Sequence, residues 1–214
     1  MVDITSPAEY EAWYHTARGK WIGETEFATM MKLLQPKQGF SLLDIGCGTG
    51  YFSRLFAKSG LQVKGIDPNF EAIEYARGID NSIGYFKGSV MALPFVNHSF
   101  DYCAAVTSLC FVDNVEHAIK EMWRVARKGI ILGLLNRHSM LYIKKHSSKS
   151  YQGARWDTCE DTQDWGKRLK PRPVSSRHRT SIFNPAGQIS SRFIESFVPG
   201  IIPWGGFLAV VYKK

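Results

Sequence analysis

Apolar and polar residues follow two rhythms along this chain, and the rhythm changes at glycines. Residues 41–45 form a short apolar run that stops at Gly46, and residues 51–58 then carry Phe52, Leu55 and Phe56 at the spacing of one helix face. The pattern predicts a strand, a glycine turn and a helix in succession. Residues 61–66 predict a second strand, 69–77 a helix closed by Gly78, and 83–87 a third strand. Residues 100–107, with Val, Ala and Cys inside the run, predict a buried fourth strand. Residues 115–126 place Ala118, Met122 and Val125 at core spacing in an amphipathic helix with Gly129 after its end, and 130–135 supply a fifth strand. Five such units predict a parallel sheet covered by helices on both faces.

Before this core, residues 7–34 read as helical and carry Tyr10, Trp13, Tyr14 and Trp21, an aromatic density beyond what a covering helix needs. After it, residues 136–180 are polar, basic and weakly periodic. Strands at 174–183 and 206–212 close the chain, with Pro185, Pro199, Pro203 and Gly205-Gly206 punctuating the connection. The expected organisation is one domain over residues 1–214: a helical cover (1–40), a core (41–135), and a basic segment with closing strands (136–214).

Composition agrees with a folded domain: 214 residues, 44% hydrophobic and 21% charged, are enough for a sizeable core. No apolar run of the length that crosses a bilayer is present, and the start of the chain, with Asp3 and Glu9, lacks the apolar segment of a signal peptide, so the expected compartment is cytoplasmic. Cys47, Cys103, Cys110 and Cys159 are widely spaced without a CxxC pair, which predicts reduced thiols, with neither a disulfide framework nor a metal site. The net charge of +8 is concentrated. Residues 136–180 hold eleven Lys and Arg against four Asp and Glu.

The candidate chemistry lies where an open α/β sheet places its ligand crevice, at the carboxyl ends of the strands. Gly46, Gly48 and Gly50 permit a tight turn and close approach of a ligand, with the amides at the start of the next helix facing the crevice. Those features alone also suit NAD. Asp44 and the compressed GxGxG spacing separate the readings: a pyrophosphate would meet a carboxylate there, whereas a cationic sulfonium with an ammonium group is attracted by it. Asp67, ending the second strand, can accept hydrogen bonds from ribose hydroxyls, and Pro68 is expected to start the following helix. Ser89 and Val90, in the stretch running through Leu93-Pro94-Phe95, are placed to meet an adenine ring, and Thr107 to reach the pocket floor. Cys110 is a candidate for facing substrate. Asp101 is expected to tie the sheet edge.

With these residues in view, the chain resembles the class I S-adenosylmethionine-dependent methyltransferases, in the "type 11" group related to the ubiquinone and menaquinone methylases. The resemblance covers roughly residues 8–135. It rests on Glu9-Tyr10-Glu11-Ala12-Trp13-Tyr14, Leu42 to Gly50, Asp67, Leu93-Pro94-Phe95, Ser99-Phe100-Asp101 and Glu121-Met122-Trp123-Arg124-Val125. It implies a Rossmann-like seven-stranded, mostly parallel sheet in the order 3-2-1-4-5-7-6 with the last strand antiparallel. It also implies S-adenosylmethionine as cofactor and S-adenosylhomocysteine as product, contacted by Gly46, Asp67 and the backbone near Thr107. Cys47 belongs to the same turn, and Tyr14 is expected to close over the methionine end of the cofactor. One departure is Ser89, where the family usually has Asp to receive the adenine amino group. The neutral acceptor weakens that contact by about 1 kcal/mol.

The expected reaction is in-line methyl transfer to a small-molecule acceptor. Alignment and exclusion of water carry most of it. Where an acceptor needs a general base, His138 and His146 are the candidates after the fifth strand. The basic segment suggests an anionic substrate, or else a solvated loop; a nucleic-acid partner is not favoured, because no aromatic-interleaved platform accompanies the charge. Three other functions stay open from sequence: a non-catalytic cofactor-binding protein, a nicotinamide-dependent oxidoreductase and an RNA methyltransferase.

Overall fold

The computed structural model describes residues 6–188, 192, 193, 195 and 197–214. Seven strands form one sheet: β1 (Ser41–Ile45), β2 (Gln62–Asp67), β3 (Gly84–Lys87), β4 (Phe100–Val106), β5 (Ala126–Leu135), β6 (Ser175–Ser181) and β7 (Phe207–Lys213). Their order is β3-β2-β1-β4-β5-β7-β6. Strands β1 to β5 pair in parallel, and β7 runs antiparallel to both β5 and β6. This is the order implied by the resemblance, with β7 the reversed strand. The order turns back between β1 and β4, which opens a crevice above their carboxyl ends.

Strand β4 explains why the sheet lies in the middle of the molecule. All seven of its residues are buried. Tyr102, Ala104 and Val106 pack with Leu34 and Phe56, whereas Cys103 and Ala105 pack with Ala118 and Met122 on the other side. The two-residue period sends neighbours to opposite faces, so a strand covered twice reads as one unbroken apolar run. Helices α2 (Ala17–Leu34) and α3 (Tyr51–Lys58) cover the first face; α5 (Val115–Val125) and α7 (Cys159–Arg168) cover the second. Helix α4 (Phe70–Ile79) sets Ile73 and Ala76 against Tyr85 of β3.

Several expected boundaries are corrected. Residues 7–34 are two helices, α1 (Pro7–His15) and α2, because Thr16 is extended between them and its hydroxyl caps α2 by accepting from the Gly19 amide at 3.0 Å. Pro68 does not start α4. Asn69 is its N-cap, with Oδ1 accepting from the Glu71 and Ala72 amides at 3.0 and 3.3 Å. The same helix runs through Gly78 to Ile79. Gly129 is not a helix end either: it lies inside β5, where an added Cβ would stand 2.3 Å from the Tyr212 carbonyl oxygen of β7. That glycine marks close approach of two strands. Asp101 ties no sheet edge: at the start of the central strand β4 it joins both neighbouring strands, accepting from the Ser41 amide of β1 at 3.0 Å and pairing with Arg127 of β5 at 2.9 Å.

The basic stretch 136–180 is built rather than irregular, containing α6 (Met140–Lys145), α7 and β6. A capping box starts α7: the Thr158 hydroxyl accepts from the Asp161 amide while the Asp161 carboxylate accepts from the Thr158 amide. Of its eleven cations, Arg155 pairs with Asp157, Lys167 with Asp164 and Arg168 with Glu116. Among the described residues no helix is long and apolar enough to cross a membrane.

Candidate active site

The glycine turn joins β1 to α3 and gives its glycines different tasks. Gly46 has φ +68°, and an added Cβ would stand 2.3 Å from Cβ of Ser108, whose hydroxyl donates to the Ile45 carbonyl at 2.9 Å. The exits of β1 and β4 therefore close on one another there. Gly48, at φ +51°, has nothing within 4 Å of an added Cβ. Its bare α-carbon borders the open crevice, where a ligand can lie against backbone.

Four of the turn's own amides are satisfied within the fold. Those of Gly46 and Cys47 donate to the Ile66 carbonyl at 2.8 and 3.2 Å, that of Gly50 to the Cys47 carbonyl at 2.9 Å, and that of Gly48 to Asp67 Oδ2 at 2.8 Å. A pyrophosphate would have to displace these bonds, whereas a ligand without phosphate needs none of them. Cys47 turns its side chain into the cluster of Ile73, Ala76 and Tyr85, and burial pushes its thiol up. All four cysteines are free and buried.

Asp67 is nearly buried at the end of β2, with Oδ1 accepting from the Asn69 amide at 2.8 Å. Each oxygen keeps a further lone pair, so two ribose hydroxyls can be bound without breaking either bond. Pro68 sits between them in the chain, holding the extended link to the Asn69 cap. Asp44 lies beneath the turn and not on an open wall: it is 1% exposed and accepts 2.6 Å from the Ser53 hydroxyl. Burial, with the Asp67 charge adding to it, pushes its carboxyl up to about 7. Any attraction it exerts on a cation acts through the turn. Ser89 is exposed after β3, its hydroxyl accepting from the Met91 amide at 3.2 Å, while Val90 is buried in the core beside Ile66. Thr107 takes the left-handed conformation (φ +48°), rare for a β-branched residue, and its amide donates to the Gly133 carbonyl at 2.8 Å.

Helix α1 is fastened over this turn by a residue that the motifs did not single out. Glu11 is buried, accepts from the Thr49 hydroxyl at 2.6 Å and pairs with Arg54, which also donates to the Thr49 carbonyl at 2.8 Å. Tyr14, one turn on, stacks on Tyr51 of α3 with ring centroids 3.7 Å apart, and its hydroxyl bonds to that of Tyr10.

A cavity of about 480 Å³ opens beyond Thr107, between α1, α2 and the ends of β4, β5 and β7. Tyr14, Thr107 and Cys110 line it, together with Trp13, Tyr151 and Phe207. The Cys110 thiol donates to the Thr107 carbonyl at 3.1 Å, and burial pushes it up to about 12. Neither candidate histidine reaches this space. His138 is exposed after β5, and His146 is exposed at the end of α6, where its ring stacks on Tyr142 and its Nδ1 contacts the Tyr142 carbonyl at 2.8 Å.

The acidic group on the cavity wall is Glu26 instead. Desolvation by burial pushes its carboxyl up to about 8. A signal for it existed in the sequence: Ile22, Glu26 and Met30 fall at successive i, i+4 positions, so a charged residue occupies the apolar stripe of α2.

A family model described as a methyltransferase domain matches residues 43–133, the span from the glycine turn through β5. Over that span the chain is similar to methyltransferase domains. The solved structure of a methyltransferase from Thermotoga maritima, described as a possible histamine N-methyltransferase, superposes with a TM-score of 0.73 at 26% identity, covering 97% of this chain and 95% of that one. The malonyl-[acyl-carrier protein] O-methyltransferase of Pectobacterium atrosepticum is 30% identical over 103 residues, which are 48% of this chain and 41% of that protein. Squalene methyltransferase 1 of Botryococcus braunii is 33% identical over 120 residues, 53% of this chain and 31% of that protein. The chain thus spans about two fifths of the length of the first of these curated relatives. Bonded turn amides beside a free Asp67 edge suit a phosphate-free adenosyl group such as that of S-adenosylmethionine.

Proposed function

We propose that this methyltransferase transfers the cofactor's methyl group to a small-molecule acceptor held in the cavity between α1, α2 and the ends of β4, β5 and β7. The observation that carries the reading is that cavity: about 480 Å³ of space, with six aromatic residues on its wall, begins at Thr107, separate from the crevice at Gly48 and Asp67. Its size suits a small molecule. In this reading Asp67 holds the ribose, Ser89 and Val90 meet the adenine, and Gly46 and Gly48 let the cofactor pass close to backbone. Tyr14 and Thr107 border the side where cofactor and acceptor meet. The bound cofactor supplies an electrophilic methyl on a sulfonium. The chain's own residues align the acceptor and keep water out, with α1 as the cover.

The same reading treats residues 1–214 as one domain, since Tyr14 and Leu34 of the cover share a core with Leu42 and Val211 of the sheet. An anionic group on the acceptor would lie against Arg18 and Lys145, the two cations on the cavity wall. Pairing of Arg155, Lys167 and Arg168 argues that the rest of the basic segment serves the fold.

Calorimetry with S-adenosylhomocysteine and with NADH, followed by transfer of tritiated methyl into a metabolite extract, tests the proposal. Binding of S-adenosylhomocysteine, its loss by tenfold or more in Asp67→Asn, and label in small molecules are the expected results. Binding of NADH alone, or cofactor binding with no transfer into any extract, overturns it. Label appearing in RNA would overturn the acceptor class.

A further inference from the structure

Glu26 is a carboxylate without an evident reason to be where it is. It lies between the buried Ile22 and Met30 on the apolar stripe of α2, itself half-buried at the cavity wall, where a charge is costly unless something pairs with it. Among the described residues no hydrogen bond or ion pair to it is found, although it faces the cavity. Tyr10, Tyr14 and Tyr151 line the same cavity, so it shares that space with aromatic rings from α1 and the 3-10 turn at Lys149–Tyr151. Arg18 and Lys145 are also on the cavity wall, but Arg18 Nε donates to the Pro185 carbonyl at 2.8 Å.

We infer that Glu26 recognises and deprotonates a primary or secondary amine, and that the acceptor of this methyltransferase is therefore an amine methylated on nitrogen. The inference rests on the methyl-transfer reading above. An ammonium would pair with the lone carboxylate and lie against the faces of the surrounding rings, gaining both charge pairing and cation–π attraction. An anionic acceptor group at this point would be repelled. A neutral alcohol leaves Glu26 a neutral acid and gains no charge pairing.

The same environment suits the proton transfer that an amine needs before it is nucleophilic. Desolvation disfavours both charged partners, so in the cavity the ammonium–carboxylate pair and the amine–carboxylic acid pair lie closer in energy than in water. One N–H proton passes to Glu26 and frees the nitrogen lone pair. That pair forms the new N–C bond while the C–S bond breaks, its electrons staying on sulfur. The products are the N-methylammonium, the neutral thioether S-adenosylhomocysteine and protonated Glu26, which returns its proton to solvent. The group is pushed up to about 8, near the operating range of a general base at neutral pH.

The test is binding of phenethylamine, phenethyl alcohol and phenylpropanoate to the full chain saturated with S-adenosylhomocysteine. These probes share a ring and differ at the end group. Phenethylamine should bind at least tenfold more tightly than the other two, with affinity rising with pH towards about 8 as Glu26 ionises. In Glu26→Gln that preference and that pH dependence disappear while S-adenosylhomocysteine affinity and melting temperature are kept; Glu26→Asp keeps the preference in weakened form. Methyl transfer to the amine falls about a hundredfold or more in Glu26→Gln. Equal binding of the three probes, or an amine preference unchanged in Glu26→Gln, overturns the inference. Label transferred to oxygen or carbon acceptors with amines ignored overturns it and leaves the methyl-transfer reading standing, whereas failure to bind S-adenosylhomocysteine removes both.

Discussion

Glu11 of the first helix and Thr49 of the glycine turn are joined by a 2.6 Å hydrogen bond, and Arg54 closes the triangle by pairing with Glu11 and donating to the Thr49 carbonyl. The cover and the cofactor turn are thus one hydrogen-bonded unit. Glu11→Ala leaves the Arg54 guanidinium unpaired in a site where little of it reaches solvent, at an expected cost of about 3 kcal/mol. In a chain of this length that corresponds to a fall in melting temperature of roughly 6–12 °C. Combining it with Arg54→Met restores part of the loss. Scanning calorimetry of the single and double variants reads both, and a single variant that melts with the wild type sinks the clamp.

Two glycines of the turn, Gly46 and Gly48, predict opposite failures. Gly46→Ala drives a methyl group into Ser108 and disrupts the fold, as soluble yield and melting temperature will report. Gly48→Ala meets no atom of the protein and costs stability only through its left-handed backbone, about 1–2 kcal/mol. Its methyl projects into the crevice instead, so affinity for S-adenosylhomocysteine falls by tenfold or more while the protein stays folded. Retained affinity in folded Gly48→Ala would falsify the placement of the cofactor along the turn.

Asp44 gives the protein a stability that depends on pH in a stated direction. Its carboxyl is pushed from 3.8 up to about 7 in the folded chain. Below the lower value both states are protonated; between the two values the unfolded chain ionises while the folded one resists. Stability therefore falls as pH rises through this window, by at most about 4 kcal/mol. Asp44→Asn lacks that contribution. Urea titrations at about pH 4.5 and about pH 7.5 should show the variant gaining on the wild type at the higher pH; parallel curves would mean that Asp44 is ionised in the fold.

Ser89→Asp should tighten cofactor binding. The Ser89 hydroxyl is exposed and already accepts from the Met91 amide, a bond that an Asp side chain can keep while offering a charged second oxygen to an adenine amino group. The gain is about 1 kcal/mol, or roughly fivefold in the dissociation constant for S-adenosylhomocysteine. Calorimetry decides it, and unchanged affinity would move the adenine away from Ser89.

What was legible in the sequence had local causes. The core strands announced themselves as apolar runs because both faces of the sheet are covered, and the glycine turn did so because positive φ at Gly46 and Gly48 restricts residue choice. Where the expectation slipped, a short-range rule was overruled by a distant strand or by a neighbouring side chain. Gly129 looked like a helix stop, yet its lack of a side chain serves the Tyr212 backbone of β7. Pro68 looked like a helix start, yet the Asn69 side chain caps the following amides. His138 and His146 fell at a plausible point in the chain, but their rings emerge at the surface.

The sequence by itself determined the strand and helix rhythm, the turn and the acid at Asp67, since each depends on residues within a few positions of one another. Only the tertiary structure decided which side chains share a cavity. Glu11 meets a turn 38 residues away, and Glu26 shares a cavity with tyrosines drawn from α1 and the segment after β5. No spacing encodes such meetings, because the closure of the sheet and the docking of its cover helices create them. Burial then changes the chemistry of what is enclosed, which is why Glu26, one more acid in the sequence, becomes the group on which the choice of acceptor turns.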